Sequence, residues 1–155
     1  MFYADKQFIK HLDAWLDISD QKSAKWLDSY RSKIPSMFLS YSPKLYRGFI
    51  LDRMPTGKID IKDYTSWSKD RNIAIKFLND PAFRVSKKQG VAVLASKSIT
   101  TTKIVLNIHD LAMFLGTSGM IDLGIDDMAA DSAMKEKEVL VKPISLTPSE
   151  LTLIK

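Results

Sequence analysis

The first 35 residues carry apolar side chains at the spacing of amphipathic helices. One set lies on a single helical face and comprises Phe8, Ile9, Leu12, Trp15 and Leu16. A second set follows the cap-like pair Ser19-Asp20, precedes Pro35 and comprises Ala24, Trp26, Leu27 and Tyr30. The pattern predicts two helices, and we interpret their aromatic residues as packing rather than recognition residues.

From residue 45 onward the apolar runs become shorter and are separated by turn residues. Strands are predicted at 45–51, 63–68, 90–95, 103–108, 136–141 and 151–154. Helical structure is predicted at 69–78 and 110–115, and the polar segment 123–134 is predicted as a loop with room for a short helix. Helices followed by short strands predict an α+β fold with antiparallel sheets. The 155 residues fit one domain, with a helical part over 1–35 and a sheet core over 45–155.

The composition narrows the chemistry that the chain can perform. It has no cysteine, so disulfides, thiolate metal ligands and cysteine nucleophiles are excluded. No apolar run approaches the roughly 18 residues that span a bilayer, and no export signal is recognisable, so we expect a cytoplasmic protein without a membrane anchor. The net charge of +5 favours an acidic ligand or partner. Nucleic acid is not expected as that partner, because Lys87-Lys88 is the only adjacent basic pair.

Arg47 lies inside an apolar strand, where an unpaired charge is costly. Its planar guanidinium suits a phosphate or carboxylate ligand, and it equally suits a structural pairing with a buried acid. The neighbouring Gly48 would let a ligand approach the backbone closely, or would mark a bulge in the strand. Both alternatives stay open for each of the two residues.

Ser66 and Ser68 lie two residues apart and therefore face the same side of an extended segment. Hydroxyl groups in this arrangement can orient a carboxylate or bind a sugar hydroxyl. Ser68 also precedes a predicted helix and is expected to cap it, which leaves Ser66 as the more functional of the two.

Glu136 and Glu138 have the same spacing, so on the predicted strand both carboxylates would project from one face. Two like charges held that close raise the pKa of at least one of them. Paired carboxylates suit chemistry at an anomeric carbon, where an oxocarbenium-like centre develops. A solvated charge run is the alternative for an isolated Glu-Lys-Glu segment.

Taken together, the three motifs resemble those of the arginine–serine–glutamate class of mono-ADP-ribosyltransferases, which includes bacterial toxins, vertebrate ecto-enzymes and short phage enzymes. That family shows an aromatic-Arg-Gly strand, a Ser-x-Ser element that leads into a helix, and a Glu-x-Glu strand. The matching segments are Tyr46-Arg47-Gly48, Ser66-Trp67-Ser68 and Glu136-Lys137-Glu138, within a matched stretch from about residue 45 to 141. The resemblance implies an ADP-ribosyltransferase-like fold with two packed, mainly antiparallel sheets and N-terminal helices.

The resemblance also implies an activity, in which NAD is cleaved at the nicotinamide–ribose bond and ADP-ribose passes to an arginine of a protein acceptor. Arg47 would hold the diphosphate, and the backbone of Gly48 would bind the carboxamide. Ser66 would position Glu138, which would bind the ribose 2′-hydroxyl and stabilise the oxocarbenium ion. Glu136 would engage the acceptor.

Four further residues complete the NAD-binding set that the resemblance implies, namely Tyr46, Trp67, Ser68 and Phe83. Phe83 is the candidate for stacking on the nicotinamide ring. Trp67 replaces the commoner threonine, and its side chain is expected to point away from the two serines. No metal is implied, and the two histidines lack the spacing of metal ligands. A phage or bacterial effector that modifies host machinery fits these features; an NAD glycohydrolase and a catalytically silent binding module of the same fold are the alternatives.

Overall fold

The computed structural model describes residues 1–80 and 90–154 of the chain. Within these residues it contains a six-stranded antiparallel sheet, a two-stranded antiparallel sheet and five α-helices. The predicted α+β class with antiparallel sheets is therefore confirmed. No helix of the described ranges is long and apolar enough to cross a membrane.

The two predicted N-terminal helices are present, as α1 over Lys6–Ile18 and α2 over Gln21–Tyr30. The carboxylates of Asp5 and Asp20 cap the two helices by accepting hydrogen bonds from backbone N–H groups of the first turn. Ser19 adopts a left-handed conformation with φ of 53° and reverses the chain between them. The apolar face of α1 is buried as the sequence pattern predicts.

Eight strands are described, namely β1 Lys44–Leu51, β2 Ile59–Ile61, β3 Thr65–Ser68, β4 Val91–Ser98, β5 Ile104–Leu106, β6 Glu138–Val141, β7 Ile144–Leu146 and β8 Leu151–Leu153. The larger sheet has the order β5-β6-β3-β1-β4-β8, and β2 pairs with β7 in the smaller one. The three-residue strands β2 and β7 have no counterpart in the sequence prediction, because runs this short show no alternation that distinguishes them from loops. The other six lie within or overlap the predicted strands.

The remaining helices are α3 Arg71–Leu78, α4 Ile108–Leu123 and α5 Asp127–Lys135. The short helix that the prediction for 123–134 allowed is present as α5, which buries three alanines on one face although the segment looks polar and small. The helical turn predicted at 110–115 continues through a kink at Gly116, whose φ of 74° is not helical.

Ser68 does not cap α3, contrary to the prediction. The side chain of Asp70 accepts from the backbone N–H of Asn72 and is the N-cap. The hydroxyl of Ser68 instead donates to the backbone oxygen of Glu136 at 2.9 Å and accepts from the N–H of Asp70. Ser68 therefore ties the end of β3 to the turn before β6.

The large sheet separates two apolar clusters, and strand alternation assigns each side chain to one of them. In β6, Leu140 packs with the helices α1, α2, α4 and α5, whereas Val139 and Val141 pack with the two-stranded sheet on the opposite face. In β3, Ser68 is paired with Glu138, and Trp67 is buried on the side of the small sheet. Glu138 therefore points toward the helices.

Strands β1 and β3 touch at one residue pair only, Tyr46 with Ser68, and then diverge. In contrast, β1 pairs with β4 over its whole length, from Lys44 to Leu51. Beyond this pair, the side chain of Arg47 on β1 donates through Nη1 to the backbone oxygen of Ser66 on β3 at 2.6 Å. A single interrupted pairing in the middle of the sheet thus creates the place for an arginine.

Gly48 lies where helix α3 crosses β1. A Cβ atom at this position would come within 3.0 Å of three side-chain carbons of Leu78, which is fully buried. The pairing of β1 with β4 is continuous through this residue, so the predicted alternative of a bulge is wrong. The absence of a side chain at position 48 lets α3 pack directly on the sheet.

We predict that Gly48→Ala lowers the free energy of unfolding by about 1–3 kcal/mol, because the added Cβ would overlap the buried side chain of Leu78 and force it to move. Urea denaturation measures this change. Gly57→Ala is the matched control, since no atom lies within 4 Å of a Cβ built there. It should leave the stability unchanged or raise it by up to about 1 kcal/mol. Equal stabilities of the two variants would contradict the packing argument.

Candidate functional site

A cleft of about 280 Å³ opens between the large sheet, the end of helix α1 and helix α3. It collects the candidate residues of all three sequence motifs. The lining residues are Trp15, Leu16, Ser19, Tyr46, Arg47, Gly48, Ser66, Trp67, Ser68, Ala74, Phe77, Leu78, Glu136 and Glu138. Every predicted site residue within the described ranges is among them, and Phe83 lies outside the described residues.

Glu138 is the buried acid of this cleft, with a relative exposure of 8%. Its Oε2 atom accepts a hydrogen bond of 2.6 Å from the indole Nε1 of Trp15. Burial raises the pKa of Glu138 above its ordinary value, whereas hydrogen bonds from Ser66 and Trp15 and the charge of Arg47 act in the opposite direction. The carboxyl group therefore has the surroundings of a functional acid rather than of a solvated charge run.

Arg47 lies beside Glu138, and part of its guanidinium group is hydrogen-bonded to the backbone. Its Nη1 donates to the carbonyl oxygen of Ser66 at 2.6 Å, and its guanidinium lies 5.3 Å from the ring centroid of Phe49. Burial lowers the pKa of Arg47, while the negative charge of Glu138 raises it. The buried Nε has no hydrogen-bond partner among the described residues. Arg47 therefore has a structural role in bracing β3, and the alternative of a bound phosphate or carboxylate ligand stays a prediction.

Glu136 does not lie on the strand, which corrects the prediction for 136–141. It is the residue that ends helix α5, and Lys137 follows in a left-handed conformation with φ of 52°. The simple alternation that would place both carboxylates on one strand face therefore does not apply. The turn still brings both glutamates to the same cleft, because Ser68 binds the backbone of Glu136.

The pKa of Glu136 is raised to about 7, chiefly by burial and secondly by the charge of Glu138. A carboxyl group that titrates near neutrality can either give or take a proton under physiological conditions. The expectation that one of the two acids has a raised pKa was based on their proximity alone. Burial is the larger cause for both residues.

The remaining walls of the cleft are apolar. Phe77 on α3 lines the cleft and is 47% exposed. Trp67 is buried and donates to the hydroxyl of Thr65 at 2.9 Å, so its side chain points away from Ser66 and Ser68 as expected. The rim therefore offers an aromatic ring from the helix rather than from the Ser-x-Ser motif.

Trp15 is the site residue that sequence reasoning missed. Its spacing with Phe8 and Leu12 indicates only that it faces the core, and it is 2% exposed. Nothing in the local sequence shows that its indole N–H meets an acid 123 positions away. A buried indole always needs an acceptor, and that requirement was the one available signal.

No candidate metal site is found in the described part of the chain. No group of three or more histidine, cysteine, aspartate or glutamate side chains is arranged there to hold a metal ion. What the cleft offers is two carboxyl groups, one guanidinium and apolar walls. This combination can bind a small, flat, positively charged group and stabilise a developing cation.

We predict that Glu136→Gln stabilises the fold at pH 8 by roughly 2–3 kcal/mol and has little effect at pH 5. A carboxyl whose pKa rises from 4.5 in the unfolded chain to about 7 in the folded one contributes stability below pH 4.5, and this contribution is lost as the pH rises through 7. Glutamine resembles the protonated carboxyl and stays uncharged, so the variant does not lose this stability as the pH rises. Urea denaturation at both pH values measures the effect.

The matched control for this prediction is Glu150→Gln. The pKa of Glu150 is lowered despite partial burial, because Lys97 and the backbone of Thr147 bind its carboxylate. Its contribution has the opposite sign, present at pH 8 and lost in acid, so this variant should be destabilised at pH 8. A Glu136→Gln variant that is no more stable than the parent at pH 8 would contradict the burial of an acid in this cleft.

Compared with known proteins, the chain matches no family model, no curated protein and no solved structure.

Proposed function

We propose that this chain is a mono-ADP-ribosyltransferase with an ADP-ribosyltransferase-like fold, and that it transfers ADP-ribose from NAD to an arginine of a protein acceptor. The observation that carries the proposal is the meeting of buried Glu138 with Arg47, Ser66 and Glu136 in one cleft. These side chains come from β6, β1, β3 and a turn. Their meeting is a property of the fold and not of chain proximity.

The chemistry suits a buried carboxylate without a metal. The nicotinamide of NAD is already a cation, so it leaves without strong acid catalysis, and the site has to stabilise the positive charge that develops on the ribose. Glu138 supplies that stabilisation in surroundings that exclude water. Ser66 and Trp15 supply the hydrogen bonds that orient it.

The raised pKa of Glu138 is compatible with this role. Burial by itself favours the protonated carboxyl of Glu138. The positive nicotinamide ring lowers the pKa of a carboxyl beside it, so binding NAD favours the carboxylate that the reaction needs. The substrate itself thus completes the charge balance of the cleft.

The dimensions of the cleft suit the nicotinamide and its ribose rather than the whole dinucleotide. Phe77 and Tyr46 flank the space, and Phe77 has the exposed ring needed to stack on nicotinamide. We assign Arg47 to the diphosphate, because a guanidinium group at the cleft suits a phosphate ligand. The rest of NAD lies outside the cleft.

Glu136 is assigned to the acceptor. It is less buried than Glu138, and its pKa of about 7 suits a base that takes a proton from the attacking guanidinium. The acceptor is proposed to be a host protein in the cytosol, as for a phage or bacterial effector, and the net charge of +5 favours an acidic one. In an NAD glycohydrolase, water would take the place of that acceptor.

The direct test incubates the purified chain with adenine-labelled NAD, first alone, then with a small guanidine such as agmatine, and then with cell lysate. We expect label on agmatine and on a protein band. If free ADP-ribose is the product in all three incubations, the chain is an NAD glycohydrolase and not a transferase. If NAD stays intact in all three incubations, both enzymatic activities are excluded and a catalytically silent binding module is the remaining alternative.

We predict that Glu138→Gln lowers the rate of NAD cleavage roughly 100-fold to 1,000-fold, since it removes the negative charge opposite the oxocarbenium centre. The chain contains three glutamates, and Glu150→Gln is the matched control because Glu150 lies outside the cleft. The control should cleave NAD at nearly the parent rate. A Glu138→Gln variant that is as active as the control would overturn the site assignment.

Glu136→Gln should separate the two half-reactions. We predict that it lowers transfer to agmatine roughly 100-fold while hydrolysis of NAD continues, because only the acceptor step needs the second carboxyl. The ratio of labelled agmatine to free ADP-ribose measures this separation. Equal losses in both products would assign Glu136 to cleavage instead.

A further inference from the structure

The last turn of helix α1 forms one wall of the cleft. Trp15, Leu16 and Ser19 all line it, and Trp15 contacts the acid directly. The indole ring is 2% exposed and belongs to the same apolar cluster as the helix core. The ring therefore cannot turn away from the cleft without disturbing the packing of α1.

We infer that Trp15 is a positioning residue, which holds the Glu138 carboxylate in the orientation required to stabilise the ribosyl cation. That Trp15 orients Glu138 rests on the hydrogen bond alone. That this orientation serves catalysis rests on the proposed function. An indole N–H can only donate, and a carboxylate is its strongest acceptor in this cleft. The bond of 2.6 Å fixes one oxygen of Glu138 and leaves the other directed elsewhere.

The other two tryptophans show that this contact is not a general property of indoles in the chain. Trp67 donates to the hydroxyl of Thr65 on the opposite side of the sheet. Trp26 stacks between His11 at 4.5 Å and Tyr30 at 4.8 Å on the surface of α2. Of the three tryptophans, only Trp15 donates a hydrogen bond to Glu138. Trp26 is therefore a suitable control for a tryptophan-to-phenylalanine exchange.

The charged groups around the bond are few. Arg47 approaches Glu138 from β1, and Glu136 approaches it from the turn that precedes β6. Ser66 contributes a second hydrogen bond from β3. Removal of the indole N–H thus leaves Glu138 with one hydroxyl donor and one cation, and its pKa should rise further.

The first test does not use NAD. The parent should show three indole N–H signals in a ¹⁵N–¹H NMR spectrum, and Trp15→Phe and Trp26→Phe assign two of them. We expect the Trp15 signal to have the largest pH-dependent shift, with a midpoint above the usual range of glutamate. In Glu138→Gln this shift should disappear. A Trp15 signal that does not respond to pH, or that still responds in Glu138→Gln, would overturn the inference.

The second test measures NAD cleavage against pH. We predict that Trp15→Phe lowers kcat roughly 10-fold to 100-fold with little change in KM, and that it moves the acidic limb of the profile to higher pH. Trp26→Phe should change neither quantity. A loss of kcat without a shift of the limb would reduce Trp15 to a packing residue.

The two tests separate failure of the inference from failure of the proposed function. If the parent does not cleave NAD but the Trp15 signal follows Glu138, the activity is wrong and the positioning contact stands. If the parent cleaves NAD and Trp15→Phe retains the parent profile, the activity stands and Trp15 has no positioning role.

Discussion

The burial of the Glu138 carboxyl group is the constraint on which the rest of the site depends. A buried carboxylate requires compensation: helix α1 and strand β3 supply hydrogen-bond donors, and Arg47 on strand β1 supplies a positive charge. Each of these groups determines the placement of an element: α1 has to end beside β6, and β1 has to diverge from β3 so that Arg47 can enter. The packing of these elements therefore determines the geometry of the site, and a change in the packing changes the site as well.

The charge balance of the cleft follows from that burial. Two carboxyl groups share the space with one guanidinium, and desolvation raises the pKa of both acids. The charges of these three groups sum to zero when one of the two acids keeps its proton. A cationic ligand replaces that proton, so its binding is coupled to proton release, and the affinity for such a ligand rises as the pH increases toward 7.

The sequence predicted the features that depend on local pattern and missed those that depend on distant contacts. The helical face of α1 and the runs of β1, β4 and β6 are visible because burial on one side or both selects apolar residues at fixed intervals. Helix α5 was predicted only as a short helix within a loop, because its buried face consists of alanines between aspartates. The partner of the Trp15 indole lies 123 positions away, and no local pattern encodes it.

The candidate acids illustrate the same division. Their presence in one cleft was predicted from order and spacing, but the geometry was wrong, since Glu136 ends a helix and only Glu138 lies on a strand. The pairing of β6 with β3 and β5 determines the position of Glu138, whereas the position of Glu136 is determined by α5 and by Ser68.

The left-handed conformation of Lys137 separates Glu136 from Glu138, and this has a mechanical consequence. The strand that carries Glu138 is held by a ladder on both sides, whereas Glu136 follows the end of α5. A small tilt of α5 therefore moves the backbone of Glu136 while the ladder holds that of Glu138. The distance between the two carboxyl groups is thus adjustable through the helix.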